Sequence, residues 1–375
     1  MKDTMYLKKI IDIADACFEL GYWPLHFKTL TSIIILKPNK ESYNSPKSFR
    51  FMVLLNTIGN LIEKVIGERL QFYLISNDSI HPSQLGILKQ QLMIDVGVTL
   101  IHFIYSEWVK NVNTSTLAFD IAQFFPSLNN QLLLRIFDKA GFYFKVSRFF
   151  ENYLVKWKTQ YVWNSFSSSL FNVDVGVGQG LALSPILSAL YISPVLYIFE
   201  KHLKTLKIPI FFLSFVDNGL LITQNKSFST SNSLLFCIYQ VVSSLLHRFS
   251  LKLEHTKTEI FYFSRSNGLF NLPPLDFSPL DDPILWPKNL WRYLGFIFDR
   301  KLLFHTNINF YANKAILTVK IMKLLGSSFC GLIPQQKCLL YRRCILPIVL
   351  YEYQLWFYNK APLSCLIKEL NKMQC

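Results

Sequence analysis

The middle of the chain reads IPIFFLSFVDNGLLIT between Ile208 and Thr223. Two apolar runs rich in β-branched and aromatic residues flank the polar sequence DNG, which is a common hairpin turn. We therefore expect a β-hairpin whose turn contains Asp217, Asn218 and Gly219. An acid at the end of a buried strand is unfavourable unless a cation satisfies it. This makes Asp217 a candidate metal ligand.

A second acid ends another apolar run. The segment TLAFDI carries Asp120, which lies 97 positions before Asp217. If the two strands are neighbours, the two acids form an oxygen-rich site of the kind that binds Mg²⁺. Two metal ions about 3.5–4 Å apart in such a site stabilise the attacking and leaving oxygens of a phosphoryl transfer. Taken singly, each acid is better explained as a strand end or a turn residue.

The charge of the chain indicates a polyanionic partner. Lys and Arg number 39 against 24 Asp and Glu, a formal net charge of +15, and residues 300–375 carry eleven basic residues and two acids. An uneven surplus of this size favours nucleic acid or an anionic membrane surface. A hydrophobic content of 51% excludes a disordered chain. The seven cysteines form no CxxC or zinc-type pattern, which favours a reduced intracellular protein without structural zinc.

One segment is long enough to cross a bilayer. Residues 181–199 read LALSPILSALYISPVLYIF and carry no charge. Two prolines and three serines interrupt the apolar pattern. A buried core helix is therefore favoured over a membrane span.

Five segments follow one another in a fixed order: FDIAQFFPSLN, GVGQGLALSPILSALYI, FVDN, HTKTEIFYF and RYLGFIF. Together they resemble motifs A to E of reverse transcriptases. The upstream sequence from LTSIIILKPNK to EKVIGERL resembles the fingers of non-long-terminal-repeat retrotransposons, and its wording is most similar to LINE-like elements of fungi. The resemblance covers residues 20–300. It implies an α+β right-hand polymerase fold with fingers over 1–112, a palm with an antiparallel sheet over 113–300 and a basic, partial helical thumb over 301–375.

The resemblance also implies a chemistry. The reaction is nucleotidyl transfer with Mg²⁺ or Mn²⁺, and the implied metal ligands are Asp120, the backbone carbonyl of Ile121, Asp217 and Asn218. Lys257 matches the lysine thought to protonate the leaving pyrophosphate, a general-acid role. The implied partners are an RNA template, a DNA primer and deoxynucleoside triphosphates, and no membrane.

Other motif positions match contacts to nucleotide and primer. The nucleotide-binding positions are Lys37, Arg50, Phe125, Gln179 and Gly180. The two cations, helped by Lys40, match groups that clamp a triphosphate, and Phe125 matches the bulky residue that excludes a 2′-hydroxyl. The primer grip corresponds to Tyr293, Leu294 and Gly295. The basic helical tail suits a thumb that holds duplex backbone electrostatically.

Three departures from the family pattern leave alternatives open. Asn218 stands where the family has a second aspartate, which removes a charge from the metal site. The stretch LKQQLMID at 88–95 replaces a basic and polar sequence near the template, and the end at Cys375 suggests a fragment of a larger element protein. The chain is thus an RNA-directed DNA polymerase slowed by Asn218, a catalytically decayed nucleic-acid-binding remnant, or a maturase-like splicing cofactor. We expect it in the nucleus or a cytoplasmic ribonucleoprotein rather than secreted.

The periodicity also predicts secondary structure elsewhere in the chain. We expect a helix over 145–158, strands on both sides of the loop 176–180, and a helix over 229–249 with Ser229 as its N-cap. A single strand is expected over 291–299.

Overall fold

The computed structural model describes residues 2–38, 40, 42–86, 88, 91–266, 272–277, 284–324, 331–351 and 353–357. Its strands are β1 (Thr29–Leu36), β2 (Phe49–Leu54), β3 (Asn113–Asp120), β4 (Trp157–Trp163), β5 (Phe166–Val173), β6 (Ile210–Phe215), β7 (Asn218–Asn225), β8 (Glu259–Phe263), β9 (Leu290–Tyr293) and β10 (Phe296–Asp299). Its longer α-helices are α1 (Lys2–Leu20), α2 (Thr57–Ser76), α3 (Met93–Trp108), and then, after the short α4 (Phe124–Ser127), α5 (Asn130–Lys139), α6 (Phe144–Tyr153), α7 (Ser184–Leu206), α8 (Phe228–Arg248) and α9 (His305–Leu324). The short helices α10 (Pro334–Leu340), α11 (Leu346–Val349) and α12 (Tyr353–Trp356) follow.

The central sheet is antiparallel and has the strand order β6-β7-β3-β8. Strand β3 lies in its interior and pairs with β7 on one side and β8 on the other. Six consecutive residues of β3 are buried. Three of these are the consecutive apolar residues Leu117, Ala118 and Phe119, which need not alternate with polar residues since both faces of the strand are covered.

Two hydrophobic clusters cover the two faces of this sheet. On one face, Leu117 and Phe119 of β3 pack in the cluster that contains helices α7 and α8. On the other face, Ala118 packs with residues of α3 and of the β9–β10 hairpin. Alternate residues of β3 therefore point into different cores, and the acid at its end lies where both cores stop.

A second sheet has the order β2-β1-β4-β5 and combines two strands that precede β3 in the chain with two that follow it. Its strands β1 and β2 form an antiparallel hairpin, and β1 pairs in parallel with β4. Helices and an antiparallel central sheet in one chain confirm the predicted α+β class.

Several sequence expectations are corrected in detail. The helix expected over 145–158 ends at Tyr153, and β4 begins at Trp157 after Lys156 takes a left-handed backbone with φ 61°. Strand β5 precedes the loop 176–180, but helix α7 follows it instead of a strand. Helix α8 begins at Phe228, so Ser227 rather than Ser229 is its N-cap.

The expected single strand over 291–299 is a hairpin, because its centre forms a two-residue turn. Leu294 and Gly295 connect β9 to β10, and both have positive φ angles, 48° and 91°. This pair of left-handed residues is the geometry of a tight turn that matches the strand twist.

The apolar segment at 181–199 forms most of α7. Thirteen residues of this helix are buried, and most of them pack in the cluster under the central sheet. Pro194 lies inside the helix, where its missing N–H is tolerated within a packed core. Among the described residues, no helix is both long enough and apolar enough to span a membrane.

A buried carboxylate joins α2 to the start of α7. Glu63 is fully buried, accepts a hydrogen bond from the Tyr153 hydroxyl at 2.7 Å, and accepts another from the Ala182 backbone N–H at 3.0 Å. Burial raises the pKa of Glu63 to about 7, against the lowering effect of these hydrogen bonds. Since Ala182 follows the loop 176–180, this contact fixes where that loop ends.

The raised pKa of Glu63 predicts a pH-dependent stability. Between pH 4.5 and 7 the folded chain holds this proton and the unfolded chain has released it, so the free energy of unfolding falls as the pH rises through this window. The expected fall is on the order of 3 kcal/mol. Urea unfolding at pH 5, 6, 7 and 8 should show this slope in the protein and a flatter one in Glu63→Gln. The control is Glu68→Gln on the exposed face of the same helix; equal slopes in both variants would contradict the assignment.

Candidate active site

The central sheet brings Asp120 and Asp217 to the same edge. Asp120 is the last residue of β3 and pairs in register with Asn218, the first residue of β7. The backbone N–H of Ile121 donates to the carbonyl oxygen of Asp217 at 3.0 Å. Strand pairing therefore brings together two acids that are 97 positions apart, as expected if their strands are neighbours.

The turn of the β6–β7 hairpin lies one residue earlier than expected. Phe215 pairs with Asn218, so the two turn residues are Val216 and Asp217, while Asn218 and Gly219 belong to β7. Val216 has a φ of 57°, in the left-handed region. A β-branched residue seldom adopts this conformation, because its side chain crowds the backbone.

Gly219 provides the space for an aromatic ring beside the two acids. It pairs with Phe119 of β3, and a Cβ at position 219 would lie 2.2 Å from Cζ of that ring. Phe119 is only 3% exposed. The ring therefore lies across the glycine, in the way that aromatic side chains cover glycines on neighbouring strands.

The two carboxylates influence each other electrostatically. Burial, and after it the charge of Asp120, raises the pKa of Asp217 to about 6. The Asn218 side-chain amide donates from Nδ2 to Oδ1 of Asp217 at 3.0 Å, and the ammonium group of Lys257 forms an ion pair with Oδ2 of Asp120. The other oxygen of Asp120, Oδ1, is buried and has no hydrogen-bond partner among the described residues.

These donors fit a divalent cation. A buried carboxylate oxygen without a partner is costly and is normally satisfied by a donor or an ion, and two facing carboxylates with an amide oxygen and a backbone carbonyl are the hard ligands that Mg²⁺ prefers. Within the described part of the chain, no group of three or more His, Cys, Asp or Glu side chains could hold a metal ion. The candidate set is therefore two acids, the Asn218 amide and the carbonyl of Ile121.

A group of cations faces this site. Burial lowers the pKa of Lys37, and the charges of Lys257, Arg50 and Lys40 lower it further in that order. Lys37 and Arg50 belong to the β1–β2 hairpin, whereas Lys257 follows α8 in the central region of the chain. Cations from two parts of the fold thus lie close enough to repel one another. Such a concentration of positive charge attracts a polyanionic ligand.

The loop 176–180 lies between the end of β3 and strand β2. The N–H of Val177 donates to the carbonyl oxygen of Phe125 at 3.0 Å, and the N–H of Val53 donates to that of Gln179 at 2.8 Å. Gly180 has a φ of 120°, and a Cβ there would lie 2.6 Å from the Val53 carbonyl oxygen. Phe125, Gln179 and Gly180 are thereby brought to one region, next to the hairpin that carries Arg50.

The turn of the β9–β10 hairpin lies near the acids. Burial, followed by the charge of Asp217, raises the pKa of Tyr293 far above its usual range. Its hydroxyl is buried and makes no hydrogen bond within the described ranges. The carbonyl oxygen of Gly295 accepts a hydrogen bond from the Tyr311 hydroxyl at 2.8 Å, which ties the turn to α9.

Two features of the site were missed by sequence reasoning. Gly219 was assigned to the turn, although a glycine opposite an aromatic residue of a paired strand is a recognisable signal of close packing. Gln84 was not singled out, and its side chain contacts the backbone of Val216. No local pattern around residue 84 indicates this contact, because it depends on chain segments 132 positions apart.

We expect Gly219→Ala to destabilise the protein by about 1–3 kcal/mol, because the new methyl group would lie 2.2 Å from the buried Phe119 ring and force the ring to shift. Adding Phe119→Leu should recover part of the loss. Denaturant unfolding measures both effects. Gly67→Ala is the control, since its Cβ would meet neighbours only at 3.6 Å or more; an equally small effect at both glycines would refute the close contact.

The chain is similar in sequence to known proteins. Residues 35–298 match the family described as reverse transcriptase (RNA-dependent DNA polymerase). The chain is 22% identical over 355 residues to the probable RNA-directed DNA polymerase from transposon BS of Drosophila melanogaster, and 23% identical over 356 residues to the RNA-directed DNA polymerase from mobile element jockey of the same species. Each alignment covers 92% of this chain and 37% of the relative, so the chain spans little more than a third of their length.

Solved structures that align with the chain include two telomerases. Apo telomerase from Candida tropicalis, truncated from its C-terminal domain, aligns with a TM-score of 0.49 and 14% identity, covering 73% of this chain and 53% of the telomerase. Telomerase from Candida albicans in complex with a fragment of telomeric RNA aligns with a TM-score of 0.48 and 16% identity, covering 94% and 61%. The family match extends over most of the sequence, and the chain therefore belongs to the reverse transcriptase (RNA-dependent DNA polymerase) family.

Proposed function

We propose that the chain is the polymerase core of a LINE-like retroelement reverse transcriptase, which extends a DNA primer with deoxynucleoside triphosphates on an RNA template. The observation that carries the proposal is the meeting of Asp120 and Asp217 at one sheet edge, with Asp120 Oδ1 buried and without a hydrogen-bond partner among the described residues. The two Drosophila relatives support the LINE-like class. The closer likeness to fungal elements stays a prediction.

We propose Mg²⁺ or Mn²⁺ as the cofactor, held by Asp120, Asp217, the Asn218 amide oxygen and the Ile121 carbonyl. When bound, such ions stabilise negative charge on the attacking and leaving oxygens of the transfer. In the structure the Asn218 amide presents Nδ2 to Asp217. Binding a cation requires this amide to rotate so that its oxygen faces the ion.

The surrounding cations have distinct roles in this proposal. Lys37 and Arg50, with Lys40, hold the triphosphate, since cations at the phosphates stabilise charge that develops in the transfer. Lys257 donates a proton to the leaving pyrophosphate. Its ion pair with Asp120 supports this assignment, because it places the ammonium group beside the proposed reacting centre.

Further residues recognise nucleotide and primer. Phe125 excludes a 2′-hydroxyl, and Gln179 and Gly180 bind the incoming nucleotide; their common location beside β2 supports these roles. The turn residues Leu294 and Gly295, with Tyr293, hold the primer end. The influence of the Asp217 charge on Tyr293 supports this, since a primer end must lie beside the metal site.

We propose the same division of the chain as the sequence suggested: fingers over 1–112, palm over 113–300 and a basic, partial thumb over 301–375 that binds duplex backbone. A ribonucleoprotein in nucleus or cytoplasm is the expected setting. The alternatives, a decayed remnant or a maturase-like cofactor, are not favoured, because the curated relatives are named as RNA-directed DNA polymerases.

Primer extension on an RNA template tests the proposal. Asn218→Asp should lower the half-saturating Mg²⁺ concentration on the order of tenfold, the equivalent of about 1.4 kcal/mol, because it restores a negative charge beside the ions. Asp217→Ala should reduce the product to background. Titrations with Mg²⁺ and Mn²⁺ measure both effects.

The matched control is Asn225→Asp, which places the same new charge at the opposite end of β7. It should leave the Mg²⁺ dependence unchanged. Equal product from the unaltered protein and Asp217→Ala would show that this site does not carry the reaction.

A further inference from the structure

Residues 83–85 extend the central sheet at its outer strand β6, although Gln84 and Ser214 are 130 positions apart in the sequence. The Ser214 backbone N–H donates to the carbonyl oxygen of Ser83, and the Leu85 N–H donates to that of Ser214, both at 2.8 Å. Gln84 thus forms a parallel bridge with Ser214. Residues 83–85 lie beside the last residues of β6, just before the turn that holds Asp217.

The side chain of Gln84 forms hydrogen bonds with both the N–H and the carbonyl oxygen of Val216. Its Oε1 accepts from the Val216 N–H at 3.0 Å, and its Nε2 donates to the Val216 carbonyl oxygen at 3.4 Å. The same amide also donates to Oγ of Ser214 at 3.2 Å and accepts from the N–H of Gly86 at 3.2 Å. Gln84 is fully buried, so every polar atom of its amide is used without water.

The residue held in this way has an unfavourable conformation. Val216 has a φ of 57°, and a β-branched residue persists there only when its surroundings hold it. Its backbone determines where the next residue, Asp217, points. The approach is so close that a Cβ on Gly86 would lie 2.8 Å from both the Val216 nitrogen and its Cγ2.

We propose that Gln84 is a positioning residue for Asp217: its buried amide holds Val216 in the left-handed conformation and thereby keeps the Asp217 carboxylate turned toward Asp120. The catalytic part of this inference rests on the proposed function. Every buried amide needs hydrogen-bond partners, but here two of the four bonds go to the N–H and the carbonyl oxygen of the single residue before Asp217. The choice of these partners is what supports a positioning role.

The test compares Gln84→Met with a matched glutamine. Methionine has a similar size and flexibility but no amide. Gln224→Met is the control, since Gln224 is a part-buried residue of β7 whose Nε2 donates to the Phe103 carbonyl oxygen at 3.4 Å. The readouts are hydrogen exchange of the Val216 amide, Mn²⁺ binding followed by electron paramagnetic resonance, and the metal dependence of primer extension.

We expect Gln84→Met to accelerate exchange at Val216 about tenfold, as the loss of one to two buried hydrogen bonds implies, and to weaken Mn²⁺ binding by a similar factor. Gln224→Met should change neither. A second variant gives a rescue: Val216→Gly adopts a φ of 57° without strain. In the Gln84→Met background it should restore most of the Mn²⁺ affinity.

Two results would overturn the inference: the same exchange and Mn²⁺ affinity in Gln84→Met and Gln224→Met, or a further loss of affinity when Val216→Gly is added. Hydrogen exchange at Val216 and Mn²⁺ binding can both be measured without polymerase activity. If the exchange and binding data come out as expected while the unaltered protein and Asn218→Asp both fail to extend primers, the proposed function fails and the positioning of Asp217 by Gln84 stands.

Discussion

The burial of two like charges at one sheet edge is the constraint on which the rest of this structure depends. Strands β3 and β7 are covered on both faces, so their ends are where an acid can meet a cation. The register that places Asp120 opposite Asn218 also forces Asp120 and Asp217 together, and burial with mutual repulsion raises the pKa of Asp217. The fold tolerates this arrangement because Lys257 already neutralises one oxygen of Asp120.

Three contacts hold the backbone on either side of Asp217. The Ile121 N–H binds the carbonyl oxygen of Asp217, the Phe119 ring covers Gly219, and the Gln84 amide binds Val216. Two of them come from the end of β3 and the third from Gln84, and each acts within two residues of the acid. A site that must hold a charge in a fixed direction needs such support, because a strained turn alone would relax.

The sequence predicted the acids and the cations better than it predicted the turn. Asp120 and Asp217 could be identified because the ordered motifs indicated that the two runs are neighbours, whereas either acid alone would be explained as a strand end or a turn residue. The exact turn could not be predicted, because Asp-Asn-Gly is a common turn sequence, whereas Val-Asp, which forms the turn in the structure, is an unfavourable one. The left-handed Val216 is stabilised by Gln84, a contact across 132 positions that local propensity does not contain. The end of helix α6 could not be predicted for a similar reason, because the next element, β4, is fixed by its pairing with β1 far upstream in the sequence.

Asn218 affects both the stability of the fold and the affinity of the proposed site for cations. A second aspartate at this position, as in the family pattern, would add a third negative charge to a site where two already repel. The asparagine instead donates Nδ2 to Asp217 Oδ1, and this hydrogen bond to a charged group stabilises the fold. The same amide lowers the total negative charge available to a cation. With asparagine, the proposed site therefore gives up part of its affinity for metal and gains stability of the fold, a trade-off expected wherever an active site concentrates charges that folding alone disfavours.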